Sequence, residues 1–218
     1  MFNIDYNTTN QLPSELGLVY SPLSPSYSEA SAYSVSGNLL HLNTVNLSGD
    51  QMAYYQLNNG YDHTSDADFV INLKVSQMSS FYGFQVALSD ATYSSYFVVT
   101  PSGWSMGGLS SSGTFADTTA FHTFELKTTA ATHSYQLFLD NTLVSSGLQT
   151  SGFAGSHEVT FGDATPTGGN LIADIQFIRY NSPSSSSVPE PSSIILCGLG
   201  ASIFGVAAIR RRLRPNLE

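Results

Sequence analysis

The chain has 218 residues, of which 12% are aromatic and only 11% are charged, a composition that favours one all-β domain over a helical protein. Residues 1–182 carry three basic side chains, Lys74, Lys127 and Arg179, against fourteen acidic ones, a net charge of −11. This excludes nucleic acid as a partner, because phosphate binding needs clustered cations. Cys197 is the only cysteine, which excludes an intrachain disulfide and a thiolate metal cluster.

The N-terminal stretch MFNIDYNTTNQLPSELG has neither the basic region nor the apolar run of a signal peptide, and the first basic residue is Lys74. Two explanations stay open. Either the protein remains inside the cell, or its translation start has been placed downstream of a true signal peptide. The C-terminal tail favours the second explanation.

Alternation of apolar and polar residues with period two predicts strands through most of the chain. Three segments show it most clearly, and their inward sets are Phe69, Ile71, Leu73 and Val75; Phe84, Val86 and Leu88; and Tyr135, Leu137 and Leu139. Eleven short strands are expected in all, at residues 32–35, 39–43, 52–57, 67–76, 82–90, 95–100, 122–128, 134–140, 142–146, 158–162 and 172–180.

Turn signals such as SGN, NNGYD and PSG separate these strands, and residues 134–140 continue through Asn141 into TLVSSG as a hairpin. Helical periodicity is not evident before residue 190, so the pattern predicts a β-sandwich over residues 1–181. Residues 182–188 are rich in serine and proline, which predicts a flexible linker.

The segments FHTFELKTTAATHSYQLFLDNTLVSSG and EVTFGDATPTGGNLIADIQFIRY resemble the closing strands of concanavalin A-like (laminin G-like) jelly rolls. Asn141 stands where that family usually has glycine, and a left-handed turn tolerates the exchange. The resemblance implies a jelly-roll β-sandwich but not one function, since this fold carries lectins, hydrolases and adhesion modules. The matching positions are Phe121, His122, Phe124, Tyr135, Leu137, Asp140, Leu143, Val144, Arg179 and Tyr180.

Catalysis is not expected. A hydrolase of the laminarinase type on this fold would need carboxylates in an E-x-D-x-x-E string, and the chain has none. The nearest pair, Asp66 and Asp68, is interpreted as solvated residues at the start of a strand. The G-x-S-x-G motif of serine hydrolases is also absent.

Metal binding has little support in the sequence. None of the five histidines, His41, His63, His122, His133 and His157, has ligand spacing with another, so no zinc site is predicted and structural or solvent-facing roles are expected. Calcium is a candidate cofactor, because Asp163, Asn170 and Asp174 could supply oxygen ligands, although a plain turn is the favoured interpretation of that segment.

A carbohydrate site would need an exposed aromatic ring with polar side chains around it. Trp104 lies in the glycine-rich stretch PSGWSMGG, which is interpreted as a loop, and it is the candidate carbohydrate-binding residue. The favoured alternative is that Trp104 belongs to the core, where single aromatic residues of a sandwich usually lie. Tyr54, Tyr55, Tyr93 and Tyr96 supply other rings.

The C-terminal tail contains sixteen uncharged residues, 194–209, about 24 Å of helix against a hydrocarbon core of about 30 Å. With two serines added, residues 192–209 are predicted to form a transmembrane helix in the inner membrane. Arg210, Arg211, Arg212 and Arg214 would hold its end in the cytoplasm and leave the body outside. A buried core helix is disfavoured because the run has no polar face.

Pro189, Glu190 and Pro191 stand directly before this run. A PEP triplet, a short apolar segment and a terminal arginine cluster, together at residues 188–214, resemble the PEP-CTERM sorting signal of Gram-negative bacteria that make exopolysaccharide. The resemblance implies export, an exosortase as processing partner, and removal of the apolar segment. The two prolines exclude helix around Glu190 and keep the segment extended.

Together these features predict an exported, non-catalytic protein of the cell surface or extracellular matrix, with polysaccharide as a candidate ligand. The alternative is a glycan-active hydrolase with a carboxylate pair that the sequence does not reveal. A purely structural protein without a ligand is the third hypothesis.

Overall fold

The computed structural model describes residues 1–22, 27–45, 47, 53–78, 83–107, 111–152, 157–163 and 170–182. These form strands β1 Phe2–Asp5, β2 Val19–Pro22, β3 Tyr33–Ser36, β4 Leu39–Asn43, β5 Ala53–Asn58, β6 Ala67–Met78, β7 Phe84–Asp90, β8 Tyr93–Thr100, β9 Gly103–Met106, β10 Ser112–Thr114, β11 His122–Thr129, β12 Ser134–Leu139, β13 Thr142–Leu148, β14 Thr150–Ser151, β15 His157–Asp163 and β16 Leu171–Asn181. Three single turns of helix lie between them, Pro13–Leu16, Glu29–Ala32 and Ala130–Thr132.

The strands make two eight-stranded sheets, and the strand pairs are antiparallel. The first sheet has the order β13-β12-β11-β6-β16-β4-β3, with β1 also paired to β16. The second has the order β10-β9-β8-β7-β15-β5-β2, with β14 also paired to β8. The predicted all-β sandwich is therefore confirmed.

The inner faces of the two sheets supply the core. The predicted inward residues of β6, Phe69, Ile71, Leu73 and Val75, are at most 3% exposed, and those of β7 are fully buried. Each such side chain contributes about 1.5–3 kcal/mol through removal from water. The alternation read from the sequence thus correctly assigns the two faces of these strands.

The hairpin between β12 and β13 turns at Asp140 and Asn141, whose φ angles are 48° and 63°. Both central residues of a type I′ turn require positive φ, and asparagine and aspartate tolerate it better than other non-glycine residues. The predicted hairpin is confirmed.

The chain divides into two units, Met1–Pro183 and Ser184–Glu218, at a point inside the predicted linker 182–188. The sandwich belongs to the first unit. The predicted transmembrane segment 192–209 and the PEP triplet lie outside the described residues. Within the residues that the structure describes, helices are too short or too polar to cross a membrane.

Candidate functional site

The outer face of the second sheet carries the best candidate site. Because Val86, Phe97, Phe161 and Tyr55 point into the core, their chain neighbours point outward. The strand register brings four of these neighbours into one row across the sheet, in the order Tyr96, Ala87, Thr160 and Gln56. We call this row, together with Gln85 and Glu158 beside it, the Tyr96 face.

The Tyr96 face has small residues at its centre and larger polar side chains around them. Ala87 and Gly162 at its centre are buried and small, whereas Gln85, Tyr96 and Thr160 around them are half-buried. The amide and hydroxyl groups around this centre can accept and donate hydrogen bonds at the same time. This is the pairing that sugar hydroxyls require.

Tyr96 is held in place by the backbone of Gly107. The Gly107 amide donates to the Tyr96 carbonyl at 2.9 Å, and a Cβ on Gly107 would lie 1.6 Å from the Tyr96 ring. Only glycine leaves room for the ring here. The ring is therefore packed against Gly107 on one side, and Tyr96 as a whole is half-buried.

Trp104 does not fill the role that the sequence suggested for it. It lies on β9 opposite Val99, faces the core and is only 6% exposed, so its ring cannot serve as a platform. The reason is that PSGWSMGG contains a short strand rather than a loop, and Gly113 on β10 leaves space for the indole. The alternative interpretation of Trp104 as a core residue is the correct one.

The other tyrosines that the sequence singled out differ in their exposure. Tyr55 is fully buried, and Tyr93 is half-buried with its ring stacked on His133 at 4.3 Å. The side chain of Tyr54 lies outside what the structure describes. Of Tyr55, Tyr93 and Tyr96, the last is the half-buried tyrosine that lies on the outer face of the second sheet.

Charge is scarce on the Tyr96 face. Among the described strand residues that point outward from the second sheet, Glu158 is the only charged one. Glycoside hydrolases need two carboxyl groups about 5 Å or more apart across the bond that breaks. The described strands of this face do not provide such a pair.

A carboxylate pair does exist on the outer face of the first sheet, but it has the wrong geometry. Asp68 on β6 and Glu125 on β11 are within hydrogen-bonding reach of each other, and burial, followed by the charge of Glu125, raises the pKa of the Asp68 carboxyl. Groups this close cannot flank a sugar ring. Asp66, which the sequence paired with Asp68, accepts a hydrogen bond from the Ala130 amide at 2.8 Å.

The three candidate calcium ligands are not brought together. Asp163 is fully buried and accepts a hydrogen bond from the Thr44 hydroxyl at 2.6 Å, close to Leu171 and therefore to Asn170. Asp174 lies on the outer face of the first sheet, 2.7 Å from His41 and 3.8 Å from Lys74. The buried position of Asp163 separates it from Asp174, so this set does not form one coordination site.

Two of the histidines are tied into the sandwich as expected. His41 bridges Asp174 and the Ser36 carbonyl, and His122 bridges Asp140 and the Asp117 carbonyl. Sequence reasoning could not foresee these bridges, because their members come from different strands. The polar members of the Tyr96 face, Gln56, Gln85 and Thr160, were missed for the same reason, although each occupies a polar position of an alternating strand.

Comparison with known proteins concerns first the tail. Residues 187–212 match the PEP-CTERM protein-sorting motif. The chain carries a PEP-CTERM sorting signal. The matched range includes the PEP triplet and three of the four arginines, and Arg214 lies just beyond it. This signal implies export and processing by an exosortase.

The sandwich resembles solved concanavalin A-like jelly rolls. A sialidase aligns with a TM-score of 0.59 at 13% identity over 84% of this chain and 18% of its own, so the PEP-CTERM chain spans about a fifth of it. A carbohydrate esterase from the Shiga toxin-encoding bacteriophage phi24B has a TM-score of 0.56 at 12% identity, covering 84% and 97%. The carbohydrate recognition domain of Emp47p has a TM-score of 0.53 at 8% identity, covering 83% and 94%.

At these identities the likeness shows the fold alone. No curated protein matches the chain in sequence. The jelly-roll architecture predicted from the closing strands is confirmed, and activity has to be argued from the site.

Proposed function

We propose that this protein is an exported, non-catalytic component of the cell surface or extracellular matrix of a Gram-negative bacterium, and that its sandwich binds polysaccharide at the Tyr96 face. The observation that carries the proposal is the sorting signal at residues 187–212. A protein sent to this destination works among exopolysaccharides.

The tail acts in this proposal as a temporary anchor and address. Segment 192–209 pauses the protein in the inner membrane, with the arginine cluster on the cytoplasmic side and the sandwich outside. The exosortase then recognises Pro189, Glu190 and Pro191 and removes the apolar run. The released sandwich reaches the surface or the matrix.

The chemistry of the Tyr96 face supports a neutral or weakly charged glycan. The described residues of the face offer amide and hydroxyl groups, the Tyr96 ring and the Glu158 carboxylate, while the sandwich as a whole carries a charge of −11. A strongly anionic polymer would be repelled by this net charge. An aromatic ring beside hydrogen-bonding groups is a usual arrangement for orienting a ligand.

The alternative function, a glycan-active hydrolase, has some support from similar structures described as a sialidase and a carbohydrate esterase. Against it stands the single carboxylate among the described strand residues of the Tyr96 face. An assay for reducing ends separates the two functions. Release that disappears in Glu158→Gln would favour the hydrolase, and binding without release favours the non-catalytic protein.

The direct test is retention of the full-length protein on immobilised exopolysaccharide from its own host. Tyr96→Ala removes the ring, so we expect binding at least about fivefold weaker, the equivalent of about 1 kcal/mol for a central aromatic contact. Tyr96→Phe keeps the ring and should keep most of the affinity.

The matched control is Phe138→Ala, which removes a half-buried ring from the outer face of the first sheet. It should leave retention unchanged. Equal losses in Tyr96→Ala and Phe138→Ala, or no loss in Tyr96→Ala, would remove the Tyr96 face from the proposal.

A further inference from the structure

A group of metal-ligating side chains lies at one end of the sandwich, away from the Tyr96 face. Asp62 and His63 belong to the connection between β5 and β6, and Asp90 ends β7. His63 Nδ1 is 2.6 Å from Asp90 Oδ2 and 4.0 Å from Asp62 Oδ1. The three ligand atoms all lie within 4.8 Å of one another.

His63 differs from the other aspartate-paired histidines in the number of carboxylates near its ring. His41 and His122 each contact one carboxylate, and each uses its second ring nitrogen on a backbone carbonyl. His63 instead has two carboxylates within reach. Among the described residues, this is the one group of three or more such side chains that could share an ion.

Several hydrogen bonds fix the orientation of the Asp90 carboxylate. It is 1% exposed, and its Oδ1 accepts hydrogen bonds from the amides of Thr92 and Tyr93 at 2.7 and 2.8 Å. Its Oδ2 also accepts the His63 amide at 2.8 Å. Such bonds to a ligating carboxylate fix its orientation before any ion arrives.

The imidazole of His63 is enclosed by other rings. Tyr93 lies 5.0 Å from it, and Tyr93 in turn stacks on His133 at 4.3 Å with an angle of 10° between the rings. His63 therefore has little freedom to rotate away from Asp90.

His133, a half-buried residue, lies beside this group of side chains. Its Nδ1 is buried and has no hydrogen-bond partner among the described residues, and its ring lies 5.7 Å from that of His63. A buried nitrogen without a partner costs about 1–3 kcal/mol. A hydrated ion beside His63 would bring water within reach of this nitrogen.

We propose that Asp62, His63 and Asp90 bind one zinc ion. Zinc binds nitrogen and carboxylate oxygen at about 2.0–2.2 Å in tetrahedral sites, so two ligand atoms on one ion lie about 3.4 Å apart. The ligand atoms have to move by about 1 Å to reach this spacing. The 2.6 Å contact between His63 Nδ1 and Asp90 Oδ2 opens, and Asp62, whose side chain is 60% exposed, exchanges its hydrogen bonds from the Thr64 amide and hydroxyl for the ion. The ion displaces the proton now held between His63 Nδ1 and Asp90 Oδ2, and this proton is released to solvent.

Imidazole together with two carboxylates favours zinc over calcium, because calcium prefers six or more oxygen ligands. The remaining coordination positions open to solvent on the side of Asp62. The bound ion crosslinks the connection between β5 and β6 to the turn between β7 and β8. Its role is therefore to stabilise one end of the sandwich.

Titration of the full-length protein with zinc chloride, followed by calorimetry, tests this site. We expect one zinc per chain, with affinity at least about tenfold lower in Asp62→Asn and in His63→Gln. The matched control is His41→Gln, which removes an aspartate-paired histidine elsewhere and should leave zinc binding unchanged. X-ray absorption should show only nitrogen and oxygen ligands.

Zinc affinity that is equal in the unchanged protein, Asp62→Asn and His63→Gln would overturn the proposal, as would the absence of binding. A sulfur ligand would assign the ion to Cys197 and would also overturn it. Because Asp62 is exposed, Asp62→Asn should fold normally. If His63→Gln does not fold, the zinc affinity of Asp62→Asn alone tests the proposal.

Discussion

His122 at the start of β11 joins the turn between β12 and β13 to the connection between β10 and β11 through one imidazole ring. Its Nδ1 contacts Asp140 at the hairpin turn at 2.8 Å, its Nε2 contacts the Asp117 carbonyl at 2.9 Å, and its ring stacks on Phe115 at 4.3 Å. Burial alone would lower the pKa of His122, but the hydrogen bond and the charge of Asp140, with the Asp117 carbonyl, outweigh it and raise the pKa. Folding therefore favours the protonated ring.

This predicts a pH-dependent contribution to stability. Since the pKa is higher in the folded than in the unfolded chain, the contribution is complete below the unfolded value of about 6.5 and is lost as the pH rises through the folded value. The free energy of unfolding lost in His122→Gln should thus be larger at pH 5.5 than at pH 8.5. We expect a difference below about 1 kcal/mol, because Asp140 is half exposed and water screens the pair.

Denaturant unfolding of both proteins at the two pH values measures this difference. Asp140→Asn removes the same partner and should remove the same pH dependence. If the difference in free energy of unfolding between the unchanged protein and His122→Gln is the same at both pH values, the ion pair does not contribute.

At the residue scale, the sequence predicted side-chain direction well where a strand is long and alternating. Phe69, Ile71 and Leu73 all face inward as expected. The stretch around Trp104 was interpreted as a loop because its strand has only four residues, begins at Gly103 and is followed by Gly107, so alternation is too short to read. The direction of its ring depends on pairing with Val99, which is a tertiary contact.

At the scale of elements, the β12–β13 hairpin is set by its two turn residues. Asn141 has a φ of 63°, in the left-handed region where a Cβ branch clashes with the backbone. We expect Asn141→Val to lower the free energy of unfolding by about 1–2 kcal/mol.

Asn141→Gly is the control, because glycine adopts positive φ without strain and should leave stability nearly unchanged. The measurement is the midpoint of chemical unfolding of the two variants beside the unchanged protein. Equal midpoints for the valine and glycine variants would mean that residue 141 does not need to adopt a positive φ.

All eleven predicted strands exist, with ends that differ by a few residues, whereas β1, β2, β9, β10 and β14 were not predicted. These five have two to four residues each, and most lie beside a longer strand or at an edge. Strands this short form because a neighbouring strand offers its hydrogen bonds, and their own residues carry little pattern.

At the scale of the whole molecule, the clearest prediction from the sequence is the contrast between an acidic sandwich and an apolar, basic C-terminal tail. The acidic sandwich ends near residue 181, and the PEP triplet, apolar run and arginines follow within the last 30 residues. These signals are local, so they can be read without the fold. The Tyr96 face and the group around His63 could not be predicted, because each assembles residues from separate strands or loops.

The most direct test of the whole account is the intact mass of the protein recovered from the medium and cell surface of its host, with and without the exosortase. We predict a shortened chain in the host with the exosortase, ending near Pro189–Pro191 and lacking the apolar segment. Without the exosortase the full-length chain should stay in the membrane fraction. A full-length cytosolic protein in the host with an intact exosortase would contradict the account.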